Sequence, residues 1–112
     1  MEKFLVLYNA PTASMEAMMK GMTPEQQKAS MGEWMQWMDE HKASFVDMGA
    51  PVGKNKRVTQ GGVADVRNEV GGYSIVQAES QEAAAKLFEG MGHFQIPGAY
   101  IEVMRLADMG KM

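Results

Sequence analysis

Three stretches of this sequence predict an α+β fold, with helices laid against one face of an antiparallel sheet. The first is the run from Gly71 to Leu106, which reads as strand, helix and strand. Its strands are short, β-branched and aromatic, around Tyr73-Ser74-Ile75-Val76 and Tyr100-Ile101-Glu102-Val103. Its helix opens at a Ser80 cap, carries Ala84, Leu87, Phe88 and Met91 at helical spacing, and stops among Gly90 and Gly92. The second stretch is Phe4-Leu5-Val6-Leu7-Tyr8, a continuous apolar run that predicts a strand covered on both faces. The third is Thr23-Pro24-Glu25-Gln26, where a Thr cap, a Pro in the first turn and a capping-box Gln open a long helix.

The elements between follow in order. Asn9-Ala10-Pro11-Thr12 ends the first strand. Met15, Met18, Met19 and Met22 then recur at helical spacing and predict a short amphipathic turn or lid. Thioethers also suit Cu(I), but no His or Cys reinforces the stripe, so packing is expected. The long helix is expected from Pro24 to about Met48. Met31, Trp34, Met35, Met38 and Phe45 form its inward stripe, Glu33, Gln36, Asp39, Glu40, Ala43 and Asp47 its solvent face, and Gly49 its C-cap. Pro51 then marks an edge strand or a strand start. Lys54, Lys56 and Arg57 make a small basic patch, read as a solvated loop in preference to a phosphate or carboxylate contact. Residues 58–66 read as a hairpin turning at Gly61-Gly62. Asp108 to Met112 are expected to fray. This order is the split βαβ, ferredoxin-like plan, in a single domain spanning residues 1–112. Two helices cover one face of such a sheet. The other face is left bare and half apolar, which predicts a homodimer formed sheet on sheet.

Composition narrows the function. The chain is 46% hydrophobic and 22% charged, a folded balance. A net charge of −3 supplies no basic field for nucleic acid. The absence of cysteine excludes disulfides, thiolate nucleophiles and Cys-type zinc sites, and favours a reducing compartment. No run reaches the ~18 apolar residues of a membrane span, and no signal-type segment follows Met1, so no membrane partner and a cytoplasmic location are expected. His41 and His93 are too far apart for a recognised metal spacing, and neither metal nor cofactor is expected.

For proton transfer the chain offers His41, His93, Asp65, Glu102 and its tyrosines. Glu102 interrupts an apolar strand. On a buried face its carboxylate would be a base near neutrality; on the other it faces solvent or pairs with a cation. His93 lies in the loop feeding that strand, where functional residues concentrate, although a lone loop histidine is often incidental. Trp37 and His41 fall at the edge of the inward stripe, beside Trp34. Lys42 projects onto the stripe, either as a pocket-edge cation or as a snorkelling side chain at the helix C-terminus. The expected pocket lies between sheet and long helix. Trp34, Trp37, His41, Tyr8 and Tyr73 bind the ligand there, and His93 and Glu102 are the catalytic pair. Two functions fit: an acid/base enzyme on a small aromatic or carbonyl substrate, or a non-catalytic ligand-binding or dimerisation module.

The chain also resembles the YCII-related proteins, including the group named for its DGPF motif. The likeness rests on Lys3-Phe4-Leu5-Val6-Leu7-Tyr8, Thr23-Pro24-Glu25-Gln26 before a Trp-containing helix, Gly71-Gly72-Tyr73-Ser74-Ile75-Val76-Gln77-Ala78, and Pro97-Gly98-Ala99-Tyr100-Ile101-Glu102-Val103. It implies a dimeric α+β barrel, two ferredoxin-like halves facing across a pocket. Some members resemble dehydrochlorinases of chloroaromatic breakdown that use a His–Asp pair. The histidine of that pair lies early in the first helix, where this chain has Lys28 to Gly32 and no His. The DGPF motif is replaced by Asp65-Val66-Arg67-Asn68-Glu69. Both departures weigh against the family's catalysis and leave binding untouched.

Overall fold

A computed structural model describes residues 1–107; the expected frayed end at Asp108 to Met112 lies outside them. Strands β1 (Glu2–Asn9), β2 (Phe45–Pro51), β5 (Val70–Ala78) and β6 (Tyr100–Arg105) form one antiparallel sheet in the order β2-β5-β1-β6. Helix α1 (Thr12–Gly21) and helix α2 (Pro24–Glu40) connect β1 to β2, and α3 (Gln81–Lys86) connects β5 to β6. The two halves interleave, so the expected α+β, ferredoxin-like plan is the observed one. A hairpin, β3 (Asn55–Thr59) and β4 (Gly62–Val66), stands outside the sheet.

Local chemistry sets most boundaries. The Thr23 hydroxyl accepts from the Gln26 N–H, and the Gln26 side chain accepts from the Thr23 N–H, the reciprocal box that starts α2. Ser80 caps α3 through the Ala83 N–H. Alternation sorts the strands. Phe4, Val6 and Tyr8 of β1 and Val76 and Ala78 of β5 are buried against Ala84, Phe88 and Met91, with Trp34, Trp37, Phe45, Ile101 and Val103 packed around them. Leu5, Leu7, Tyr73, Ile75, Glu102 and Met104 fall on the opposite face, which no helix covers among the described residues.

The long helix is shorter than its pattern implies. It ends at Glu40, a 3₁₀ turn spans Lys42–Ser44, and Phe45 opens β2 rather than closing the helical stripe. Pairing with β5 overrides helix propensity here, since this sheet needs residues 45–51 as its fourth strand. Gly49 is therefore no helix cap. It sits in an irregular stretch of β2 at φ +75°, where an added Cβ would lie 1.6 Å from the Tyr73 carbonyl oxygen. Only glycine permits that approach. Met31 and Met35 are 64% exposed, against the expected inward stripe: α2 is exposed throughout residues 24–33, only Met38 of the helix is buried, and Met35 borders an open cavity. Lys42 is likewise off the stripe, exposed and 3.8 Å from Asp39.

Candidate functional site

A cavity of about 800 Å³ opens between the β2–β5 end of the sheet and helix α2. Tyr8, at the end of β1, forms its inner wall. Its ring meets Trp34 edge to face at 4.9 Å and His93 at 5.9 Å. Met15 of α1, Met38 of α2 and Met48 of β2 complete an apolar lining, and Gly71 and Gly72 leave a floor without side chains. Asp39 and Gln36 are the polar residues that α2 adds to the lining.

Two polar groups are fixed at the inner wall. The Tyr8 hydroxyl donates to Ser74 Oγ at 2.9 Å, and Ser74 Oγ donates to the Met48 carbonyl at 2.9 Å. That relay commits the Tyr8 proton and leaves its oxygen free to accept. Burial pushes the Tyr8 phenol up to about 12, against a smaller downward pull from the Ser74 hydrogen bond, so the side chain stays neutral. His93 sits in a 3₁₀ turn, Gly92–Gln95, and is buried. Its Nε2 lies 2.8 Å from the Asn9 carbonyl oxygen. A carbonyl only accepts, so Nε2 carries the proton and Nδ1 of the neutral ring carries a lone pair. Among the described residues no buried side-chain nitrogen or oxygen lacks a partner, and none is found for Nδ1. His93 lines the cavity.

The expected site residues divide. Tyr8, Trp34, Tyr73 and His93 all border the cavity. Tyr73 does so through its main chain, since the alternation that turns Ser74 inward turns the Tyr73 ring to the bare face. Trp37 packs instead on Phe45 and Phe88 in the core. His41 is not at the cavity either. It stacks on Trp37 at 4.5 Å and its Nδ1 donates to the Trp37 carbonyl, closing the end of α2. Glu102 is exposed. Its strand neighbours Ile101 and Val103 pack on the core, so its carboxylate points to the bare face, across the sheet from the cavity. Asn9 stands between the expected pair: its carbonyl accepts from His93 and its side-chain amide reaches Glu102 Oε1 at 3.5 Å. Among the described residues no hydrogen bond or ion pair joins His93 to Glu102 directly.

Ser74, Met48, Asp39 and Gln36 were not legible as site residues. Ser74 carries a usable signal: the alternation Gly72, Ser74, Val76, Ala78 buries a hydroxyl, and a buried hydroxyl demands partners. Asp39 reads as solvent-facing, and it is exposed, yet it also borders the opening.

No family model and no curated protein matches the chain. A solved structure does. The chain is similar to 5-chloro-2-hydroxyhydroquinone dehydrochlorinase from Burkholderia phenoliruptrix AC1100, in complex with 2,5-dihydroxybenzoquinone. The likeness is one of fold. The TM-score is 0.54 at 14% identity, over 99% of this chain and 98% of the other. Among the described residues no helix is long and apolar enough to cross a membrane.

Proposed function

We propose that this chain is a YCII-like acid/base enzyme acting on a small hydroxylated aromatic ring, with His93 as its base. The observation that carries the reading is the His93 imidazole, anchored at Nε2 by a main-chain carbonyl and lining an aromatic-walled cavity, which we infer its Nδ1 faces. Trp34 and Tyr8 offer flat walls for a ring. Both fixed polar atoms, Tyr8 Oη and His93 Nδ1, are acceptors, so the ligand supplies donors, as aromatic hydroxyls do. Nδ1 takes the proton of one hydroxyl and leaves the phenolate; Tyr8 Oη holds the other. The fold neighbour's substrate, a chlorinated hydroxyhydroquinone, belongs to the same class and supports the reading.

The protein is proposed to work as a homodimer, because the face carrying the half-buried Leu5, Leu7, Tyr73 and Ile75 has no helix laid over it among the described residues. The exposed position of Glu102 favours a second reading, a non-catalytic binding module, since His93 then has no carboxylate partner. One experiment separates the two. Hydroquinone, catechol and benzoate are screened by thermal shift, and a chlorinated hydroxyhydroquinone, the substrate class of the fold neighbour, is then assayed for conversion as chloride release, with His93→Gln as control. Gln retains a donor for the Asn9 carbonyl and lacks the Nδ1 lone pair. The enzyme reading expects the diphenols to raise the melting temperature more than benzoate does, with conversion lost in the variant. Binding without conversion supports the module, and no shift with any compound ends both.

A further inference from the structure

The β3–β4 hairpin forms a two-stranded sheet of its own, and every residue from Lys56 to Asp65 is exposed. Such a hairpin is marginal in water without a surface to lie on. Val58 and Val63 are cross-strand partners, so their side chains stand side by side on one face, 75% and 64% exposed. The chain's radius of gyration is 15.7 Å, against about 13 Å for a compact domain of this length. An extended shape of this kind fits a hairpin that, among the described residues, joins no other strand and buries none of the residues from Lys56 to Asp65.

We propose that this hairpin is an arm that packs onto a second copy of the chain, with Val58 and Val63 as the buried pair. The proposal rests on the dimer reading above and adds the segment that completes its interface. Charge identifies the occupant. Lys54, Lys56 and Arg57 against Asp65 leave residues 54–66 at +2, so the rest of a chain of net −3 carries −5. The arm is opposite in sign to the body of its own kind. Area points the same way. Four strands about 4.8 Å apart and about 20 Å long give a bare face of about 400 Å² per chain. A stable interface covers about 800 Å² on each partner. An arm of two five-residue strands covers about 170 Å². Exchanged arms therefore add about 340 Å² per chain, its own arm plus the patch under its partner's, and nearly close the gap.

Sedimentation of the full chain tests this. Val58→Thr with Val63→Thr keeps β-branched residues in the hairpin and removes apolar contact. Lys54→Gln with Arg57→Gln removes arm charge without touching the Lys56–Asp65 pair. Each double variant is expected to weaken dimerisation at least tenfold and to leave the melting temperature of the dilute monomer unchanged. A dimerisation constant within twofold of wild type for either variant overturns the arm and leaves the sheet-face dimer standing. A lowered monomer melting temperature for the Thr variant also overturns it, because the arm then packs on its own chain. A wild-type chain that stays monomeric at high concentration removes arm and dimer together while leaving the cavity reading intact.

Discussion

Replacing Tyr8 by Phe tests the wall of the cavity and its relay at once. In the folded chain the Tyr8 phenol is held up at about 12 by burial, while in the unfolded chain it ionises near the usual ~10. The unfolded state therefore releases its proton first as pH rises. The stabilisation from keeping Tyr8 neutral is complete below pH ~10 and is lost as pH climbs through the folded value. One unit of difference is worth about 1.4 kcal/mol, so wild type loses about 1.4 kcal/mol through this group by pH ~11 and about 2.7 kcal/mol in full. The variant has no such group and loses none of it. At neutral pH it gives up one hydrogen bond, about 1 kcal/mol, and Ser74 still donates to the Met48 carbonyl. Urea unfolding of both proteins from pH 8 to 11 reads the difference directly. Tyr100 titrates in both proteins and cancels. Stability curves that fall in parallel across this range would refute the buried, neutral Tyr8.

Other consequences are as specific. Gly49→Ala places a Cβ against the Tyr73 carbonyl at a positive φ. It should cost more than about 4 kcal/mol in urea unfolding, the range kept for lesions of this kind. Thr23→Ala removes the N-cap acceptor of α2 and should cost about 1 kcal/mol, with a matching fall in the melting temperature. Glu102→Gln should leave ligand-induced thermal shifts unchanged, because its carboxylate lies across the sheet from the cavity.

Local signals carried the fold: caps at Thr23 and Ser80, the turn at Gly61-Gly62, and alternation in β1 and β5. What they missed was decided by pairing. Residues 41–48 continue a plausible helical stripe, and only the need of β5 for a partner makes residues 45–51 a strand. The same slip hid the cavity's far wall, since Met48 and Gly49 belong to that strand. Site residues read from the company they keep fared unevenly. Tyr8, Trp34 and His93 converge because β1, α2 and the Gly92–Gln95 turn meet at one end of the sheet. Glu102 lies one residue from core positions on both sides, and a period of two sends it to the other face. Trp37 and Trp34 are three residues apart on α2, near enough to look like one wall, yet one meets the core and the other the cavity.

The proposed chemistry requires His93 to present an unprotonated Nδ1 to a hydroxylated aromatic in the cavity. Nitrogen-15 spectra of the His93 ring, recorded through a titration with hydroquinone, test it most directly. The expected result is the Nε2–H tautomer in the free protein, and a ligand-dependent shift at Nδ1 while Nε2, held by the Asn9 carbonyl, stays put. A proton found on Nδ1 in the neutral ring, or an Nδ1 resonance that hydroquinone does not move, would contradict it.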